Sequence, residues 1–452
     1  TIPGIPPELA LMTPRPNMLN TAVLCGLILL GMAPLAARAD EAPDFAGQTL
    51  TGDWGGARTQ AWQNGVQWEA GYKLDVLNGR NGQSNNTRNA SHFDLKLRTD
   101  LEKLYGWKDT VAYLNVIDDR GNGSNAHAGT LMGISNIEVP VATTRVFNAW
   151  VQKGFFDDQF SLLVGIYPID SEFFTMDSAS TLIHPAYGTP ADLALTNAPS
   201  VFNNAAFGLR AKWHSSDRSF YGMAALMDGV PNDPDHPKRT AVRFSRNNGA
   251  FTIAEFGWTP LEAGHFFEPT DPADVLHTPD VVAHEKYSGV GKYALGFWGY
   301  SARQPDLVDV NASGSPVQRH SSGGYALAER TLWGLGNDSR RDVSTFARYT
   351  FADPNTIAID QSWNIGLRVR GPLASRPNDT LAIGWTQGKI AGKYRRQFSD
   401  PASAEEAIEL SWRIALTPWL AVQPDAQRIR NPGGNAAASA VTVVGARLEL
   451  VF

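Results

Sequence analysis

The sequence predicts an all-β fold, a transmembrane antiparallel β-barrel of about sixteen strands. Three observations predict it. Apolar and charged residues alternate over runs of about ten positions, longer than the roughly five to six usual in soluble sheets. The polar parity of those runs is rich in charge, which suits a water-filled lumen behind an apolar outer band. The segment from Val441 to Phe452 alternates again and finishes on an aromatic residue.

The alternation is explicit. Gln67, Glu69, Lys73 and Asp75 share one parity; Trp68, Ala70, Tyr72, Leu74 and Val76 share the other. From His92 to Glu102, His92, Asp94, Lys96, Arg98 and Asp100 oppose Phe93, Leu95, Leu97 and Leu101. The same pattern surrounds Trp363 and Trp412. Such strands have one apolar and one polar face. In lipid their backbone amides find no water, so the sheet must close on itself. The pattern places strands at 66–77, 90–104, 109–118, 143–154, 158–167, 203–214, 218–228 and 250–258. It continues at 289–301, 322–334, 341–351, 361–371, 379–388, 405–416, 419–427 and 440–452. The count is even, as single-chain bacterial barrels require, and a barrel of this size leaves an aqueous channel. Long connections at 119–142, 168–202, 229–249, 302–321 and 388–404 alternate with short ones at 155–157, 215–217 and 417–418. Extracellular loops and periplasmic turns alternate in this way. Residues 259–288 break the rule, being long where a turn is due.

Composition excludes several classes. The 452 residues carry 39 basic and 45 acidic side chains, a net charge of −6. The charges are scattered, so no nucleic-acid partner is expected. Beyond the N-terminus no apolar run is long enough to cross a bilayer as a helix. Arg15, the apolar run Ala22 to Leu30 and the small-residue site Ala37-Arg38-Ala39 read as an export signal. Residues 1–39 are then signal plus an upstream extension before Met12, 40–65 a periplasmic segment, and 66–452 the barrel. Cys25, the one cysteine, falls within the signal. No disulfide, thiolate nucleophile or cysteine-ligated metal follows. HExxH, Walker A and GxSxG motifs are missing, so neither cofactor nor catalytic site is expected. Asp118 and Asp119 are adjacent on a strand and point to opposite faces, a poor acid–nucleophile pair. Asp271, Asp274 and Asp280 read as solvated loop charge, with calcium binding as the alternative.

Parity nominates the lumen wall. Lys96, Arg98, Arg210, Arg368, Arg370, Arg413 and Arg447 fall on polar parities. Asn148, Trp150 and Gln152 share one face of the fourth strand, and Arg145 lies on the opposite parity. Trp150 suits either stacking on the flat apolar face of a ligand or an interfacial aromatic belt.

The segment Leu50-Thr51-Gly52-Asp53-Trp54-Gly55-Gly56-Ala57-Arg58 resembles the opening signature of the carbohydrate-selective porin family, OprB type. The resemblance runs on through Asp100-Leu101-Glu102-Lys103-Leu104-Tyr105-Gly106-Trp107-Lys108, Leu163-Val164-Gly165-Ile166-Tyr167 and Asp170-Ser171-Glu172-Phe173 to the terminal strand. It is continuous over 48–260 and weaker over 260–400. It implies a sixteen-stranded outer-membrane barrel, a short plug helix over Arg58 to Gln63, and a loop folded into the channel. It also implies passive diffusion of small sugars such as glucose. The constriction loop is then 168–202, with Asp170 and Glu172 facing the pore opposite wall cations. The alternative is a loop packed on the wall with its acids in structural ion pairs. Arg58 either lines the periplasmic mouth or caps the plug helix.

Two other functions compete. A general or anion-preferring porin would use the wall arginines, and the charge balance at the narrowest ring discriminates it. A secreted all-β polysaccharide-active enzyme would need converging carboxylates. The preferred sugar and the choice between monomer and homotrimer stay open.

Overall fold

The computed structural model describes residues 42–452 apart from 82–83, 197–198, 246, 261–290 and 337–340. The export signal, most of the 259–288 connection and its three aspartates lie outside the described residues.

Sixteen strands form one closed antiparallel sheet in which each strand pairs with its sequence neighbours and the last pairs with the first. They are β1 (Val66–Asn81), β2 (Ser84–Asp100), β3 (Thr110–Gly121), β4 (Thr143–Phe155) and β5 (Phe160–Tyr167). Next come β6 (Ala206–His214), β7 (Phe220–Asp228), β8 (Ala250–Trp258), β9 (Gly291–Val310) and β10 (Pro316–Gly334). The circuit ends with β11 (Asp342–Ala352), β12 (Ile359–Arg370), β13 (Thr380–Ile390), β14 (Ala404–Thr417), β15 (Leu420–Arg430) and β16 (Val441–Val451). All sixteen strands read from the alternation are there. One connection differs: 302–321 is no long loop, because β9 and β10 run on through it as a protruding hairpin. Its residues carry polar side chains on both faces above the membrane, so the apolar–polar rhythm used to find strands is lost.

The outer face carries the apolar parity. Val76, Leu95, Val164, Leu226, Leu295, Ile365, Ile408 and Val444 are all exposed there. The inner face carries Asp75, His92, Asp94, Lys96, Arg210, Glu255, Glu329, Arg348, Glu409 and Arg447, all buried. Two short helices, α1 (Phe45–Gln48) and α2 (Ala57–Gln63), precede β1. Helix α3 (Leu101–Tyr105) forms the turn after β2, capped by Asp100 on the Glu102 and Lys103 amides.

Arg145 corrects the parity reading of β4. Asn148 pairs with Asn115 and Val146 with Val116, which leaves Phe147 as an extra residue. This bulge shifts the pleat by one position. Arg145 therefore points inward with Asn148 and Trp150, and is 6% exposed.

Strands β4 and β5 approach closely at Gly165. Its φ is +147°, and a Cβ there would lie 2.2 Å from the Ala149 carbonyl oxygen and 2.5 Å from the Trp150 Cα. Gly165→Ala should lower stability by about 1–3 kcal/mol. The urea midpoint for loss of the compact electrophoretic form measures this, and an unchanged midpoint would refute it.

Candidate functional site

Two extracellular loops enter the barrel. L2 comprises residues 122–142 between β3 and β4, and L3 residues 168–205 between β5 and β6. Inside a barrel the backbone amides of a loop need partners, and wall carboxylates supply them. Glu329 on β10 accepts from the Asp177 and Ser178 amides at 3.2 and 2.8 Å. Glu409 on β14 accepts from Ile183 and His184 at 2.5 and 3.0 Å. Glu405, two pleat repeats away on the same face, takes Leu131 and Met132 of L2, both at 2.8 Å. Glu255 on β8 takes the Phe174 amide at 2.7 Å and the Tyr221 and Tyr325 hydroxyls, both at 2.6 Å.

Wall cations hold the loop carbonyls. Arg348 on β11 donates to Phe174, Gly188 and Ala186 at 2.9, 2.7 and 2.6 Å. Lys292 on β9 donates to the Thr175 carbonyl at 2.9 Å. Gln423 on β15 donates to the carbonyl of Thr181. L3 is thus fixed to the wall from β6 round to β15. Its far end returns over β2 and β3, where Phe202 packs against the His92 ring and Asn203 donates to Asp119 at 2.9 Å. L2 meets β1 and β16, where Ser135 donates to Asp75 at 2.7 Å and Arg447 donates to Asn136 at 2.6 Å.

Glu172 belongs to this anchoring set. It meets Arg210 at 2.8 Å and Lys212 at 3.0 Å, and receives the Tyr167 hydroxyl at 2.5 Å. All three partners belong to the loop root and to β6 behind it, so its charge is spent there. Asp170, unlike Glu172, is not turned toward wall cations. Its carboxylate accepts from the Phe202 amide at 2.9 Å, tying the start of L3 to its end. Burial pushes that carboxyl up to about 6. Burial pushes the His184 imidazole of L3 down to about 3, leaving it neutral to accept from the Ala186 amide at 3.3 Å.

Six of the other candidates share one stretch of wall. Lys96, Asn115 and Asn148 lie in one cross-strand row, and Arg98, Tyr113 and Trp150 in the next. Gln152 follows, pairs in register with Leu163, and that in turn with Arg210. Gln152 accepts from Arg210 at 2.5 Å. Trp150 stacks on Tyr113, with ring centroids 5.1 Å apart, and is buried in the wall layer beneath L3. It lies on the lumen side and has no place in an outer aromatic belt. Arg368 is on the far wall, 3.0 Å from Asp177, whose side chain is 41% exposed at the inner edge of L3. Arg58 is outside the lumen. It is 2% exposed, donates to Thr49 at 2.8 Å, and lies over the rings of Phe45 and Trp68 at 4.7 and 5.0 Å. It clamps the N-terminal segment to β1 and does not line the mouth.

Sequence reasoning missed the anchors Glu255, Glu329, Glu405 and Arg348. Each sits on the inward parity of its strand, and the signal was clean at Glu255, between Ala254 and Phe256, and at Arg348, between Ala347 and Tyr349, but blurred at Glu329 and Glu405 by the adjacent Arg330 and Glu406. Their partners gave no such signal.

A closed barrel with an apolar outer band, a charged lumen and a loop drawn through it is an outer-membrane porin. The family model for carbohydrate-selective porins, the OprB family, matches residues 84–452, and the chain belongs to that family. It is 23% identical over 475 residues to Porin B of Pseudomonas aeruginosa, covering 97% of this chain and 98% of that protein. It is 22% identical to the putative porin QuiX of Acinetobacter baylyi, covering 94% and 98%. The high-pH structure of Pseudomonas putida OprB aligns with a TM-score of 0.76 at 20% identity, covering 92% of this chain and 100% of that one. The low-pH structure of the same protein aligns at 0.57 and 18%, covering 91% and 100%. These structural likenesses show the fold. The chain is a carbohydrate-selective channel of the bacterial outer membrane, and not an enzyme.

Removing the Glu172 carboxylate strands two buried cations. Glu172→Ala should destabilise the fold by about 3–5 kcal/mol, and Glu172→Gln by less. Chemical unfolding measures both; equal midpoints for wild type and Glu172→Ala would contradict the anchoring role.

Proposed function

We propose that small monosaccharides such as glucose cross between L3 and the wall from β16 to β4. One observation carries this reading: the charges on that arc are arranged in compensated pairs. Asp94 and Lys96 are 2.8 Å apart on β2. Arg413 and Glu449 are 2.8 Å apart, and Glu449 lies beside Lys73 in register. Arg447 holds Asp75 at 2.6 Å. His92 meets Asp119 at 2.7 Å. Across the lumen Asp177 is paired with Arg368.

A hydroxyl donates and accepts at once, so a neighbouring cation and anion serve it together. A hydrogen bond to a charged group contributes roughly 1.5–3 kcal/mol net. Several such places in series bind weakly enough to release, which conduction requires. A dissolved ion meets little net field along the same ladder. The rows of Lys96, Asn115 and Asn148 and then Arg98 and Gln152 continue the polar track toward the periplasmic end.

The anion-preferring reading rested on wall arginines. Arg210, Arg368, Arg370, Arg413 and Arg447 each have a carboxylate beside them, which argues against it.

Planar-bilayer recordings of the refolded protein test the proposal. Glucose should reduce the ion current saturably at millimolar levels, and a disaccharide should do so less well. Lys96→Ala and Asp94→Asn should each weaken the block by roughly tenfold. Reversal potentials in a salt gradient should show little preference for either ion. Open channels that ignore glucose, or a strong anion preference, would sink the reading.

A further inference from the structure

The outer face of β15, β16 and β1 carries a feature that sugar passage does not use. Arg428, Thr442 and Arg80 form one cross-strand row there. Arg428 and Arg80 are two strand spacings apart, about 10 Å. Both are exposed. Both are also held in place by neutral groups. The Arg428 guanidinium donates to the Thr442 hydroxyl and to the Ala440 carbonyl at 3.3 Å. Arg80 donates to Asn78 at 3.0 Å, and Asn78 to Thr87 at 3.0 Å. Among the described residues neither arginine has a carboxylate within ion-pair distance. Arg430, the next outward residue on β15, lies opposite Glu406.

The row has a definite height. On β14 the register partner of Arg428 is Ile408, which is 51% exposed on the apolar band. Beneath the row lie Val444 and Val76, 41% and 44% exposed. The long loops mark this end as extracellular. The two guanidinium groups therefore stand where the hydrocarbon of the outer leaflet gives way to headgroups.

We propose that Arg80 and Arg428 form a binding site for phosphate groups of the phosphorylated glycolipid of the outer leaflet. Guanidinium groups bind phosphate through paired, charge-assisted hydrogen bonds. Acyl chains of the same lipid cover Ile408 beside the row and Val444 and Val76 below it. Charge complementarity and continuity with the apolar band favour a lipid over a protein partner. A second copy meeting this face about a two-fold axis would bring the same arginines or the same apolar band.

The experiment compares detergent-purified wild type with the full-length double variant Arg80→Gln/Arg428→Gln. Native mass spectrometry reads the retained glycolipid. Thermal unfolding reads the effect of adding micelles of intact glycolipid, of dephosphorylated glycolipid, or inorganic phosphate. Wild type should retain glycolipid and be stabilised by the intact form alone. The double variant should retain it on the order of tenfold less or weaker, while its single-channel conductance is unchanged. Arg120→Gln, which alters an outward arginine 2.5 Å from Asp118, should behave as wild type. Equal retention by the double variant would overturn the site. Equal stabilisation by dephosphorylated lipid or by inorganic phosphate would overturn the assignment to the phosphate of a lipid. A wild type that dimerises, with the double variant monomeric and glycolipid absent from both, would overturn it in favour of a subunit contact.

Discussion

A carboxylate in the wall of a channel can stay buried only if something donates to it, and here the donors are loop backbone amides. Glu255, Glu329, Glu405 and Glu409 each reach inward and hold the N–H groups of L2 or L3. Three of them take two consecutive amides, one per oxygen. The arrangement solves two problems together. A peptide backbone inside the barrel would otherwise lack partners for its polar groups. A buried carboxylate would otherwise pay the full desolvation penalty. Arg348 and Lys292 do the converse with loop carbonyls. The shape of the lumen depends on this mutual satisfaction, because it decides which part of the wall L3 covers.

The same logic governs the charges. Under L3, anions and cations are consumed by the loop or by each other, as at Glu172, Arg210 and Lys212. From β16 to β4 they are consumed pairwise by wall neighbours, with Ser135 and Asn136 of L2 and Asn203 of L3 adding hydrogen bonds at Asp75, Arg447 and Asp119. The lumen is therefore highly charged in composition, with most of its charges set beside an opposite one. This is the chemistry suited to a solute that carries hydroxyls and no net charge.

The strands were legible because lipid imposes a period of two on the outer face and leaves no freedom to break it. Where that constraint lapses, the reading lapses too. Residues 302–321 lie beyond the membrane and are strand without being apolar on one side. At Phe147 a single bulged residue moved Arg145 across the sheet, and neighbouring side chains gave no sign of it. The wall candidates Lys96, Arg98, Asn148, Gln152 and Arg210 could be placed inward from parity. Which of them face solute and which lie under a loop could not, because that depends on contacts between distant segments. Glu172 looked like a pore acid because its cations, Arg210 and Lys212, are 38 and 40 residues away. The amide partners of Glu409 lie about 225 residues away and are backbone atoms, which no side-chain pattern encodes.

One strand, β14, grips both loops: Glu405 holds L2 and Glu409 holds L3, across 273 and 225 residues. Closing such long segments is slow, and the loops have no other carboxylate to replace these two at the same places. Their final seating needs β14 in the sheet, whereas the strands that bracket each loop are sequence neighbours and pair without it. An assembling barrel thus passes through a stage with its wall largely built and its interior unfurnished. During that stage it is a wider and less discriminating hole than the finished channel.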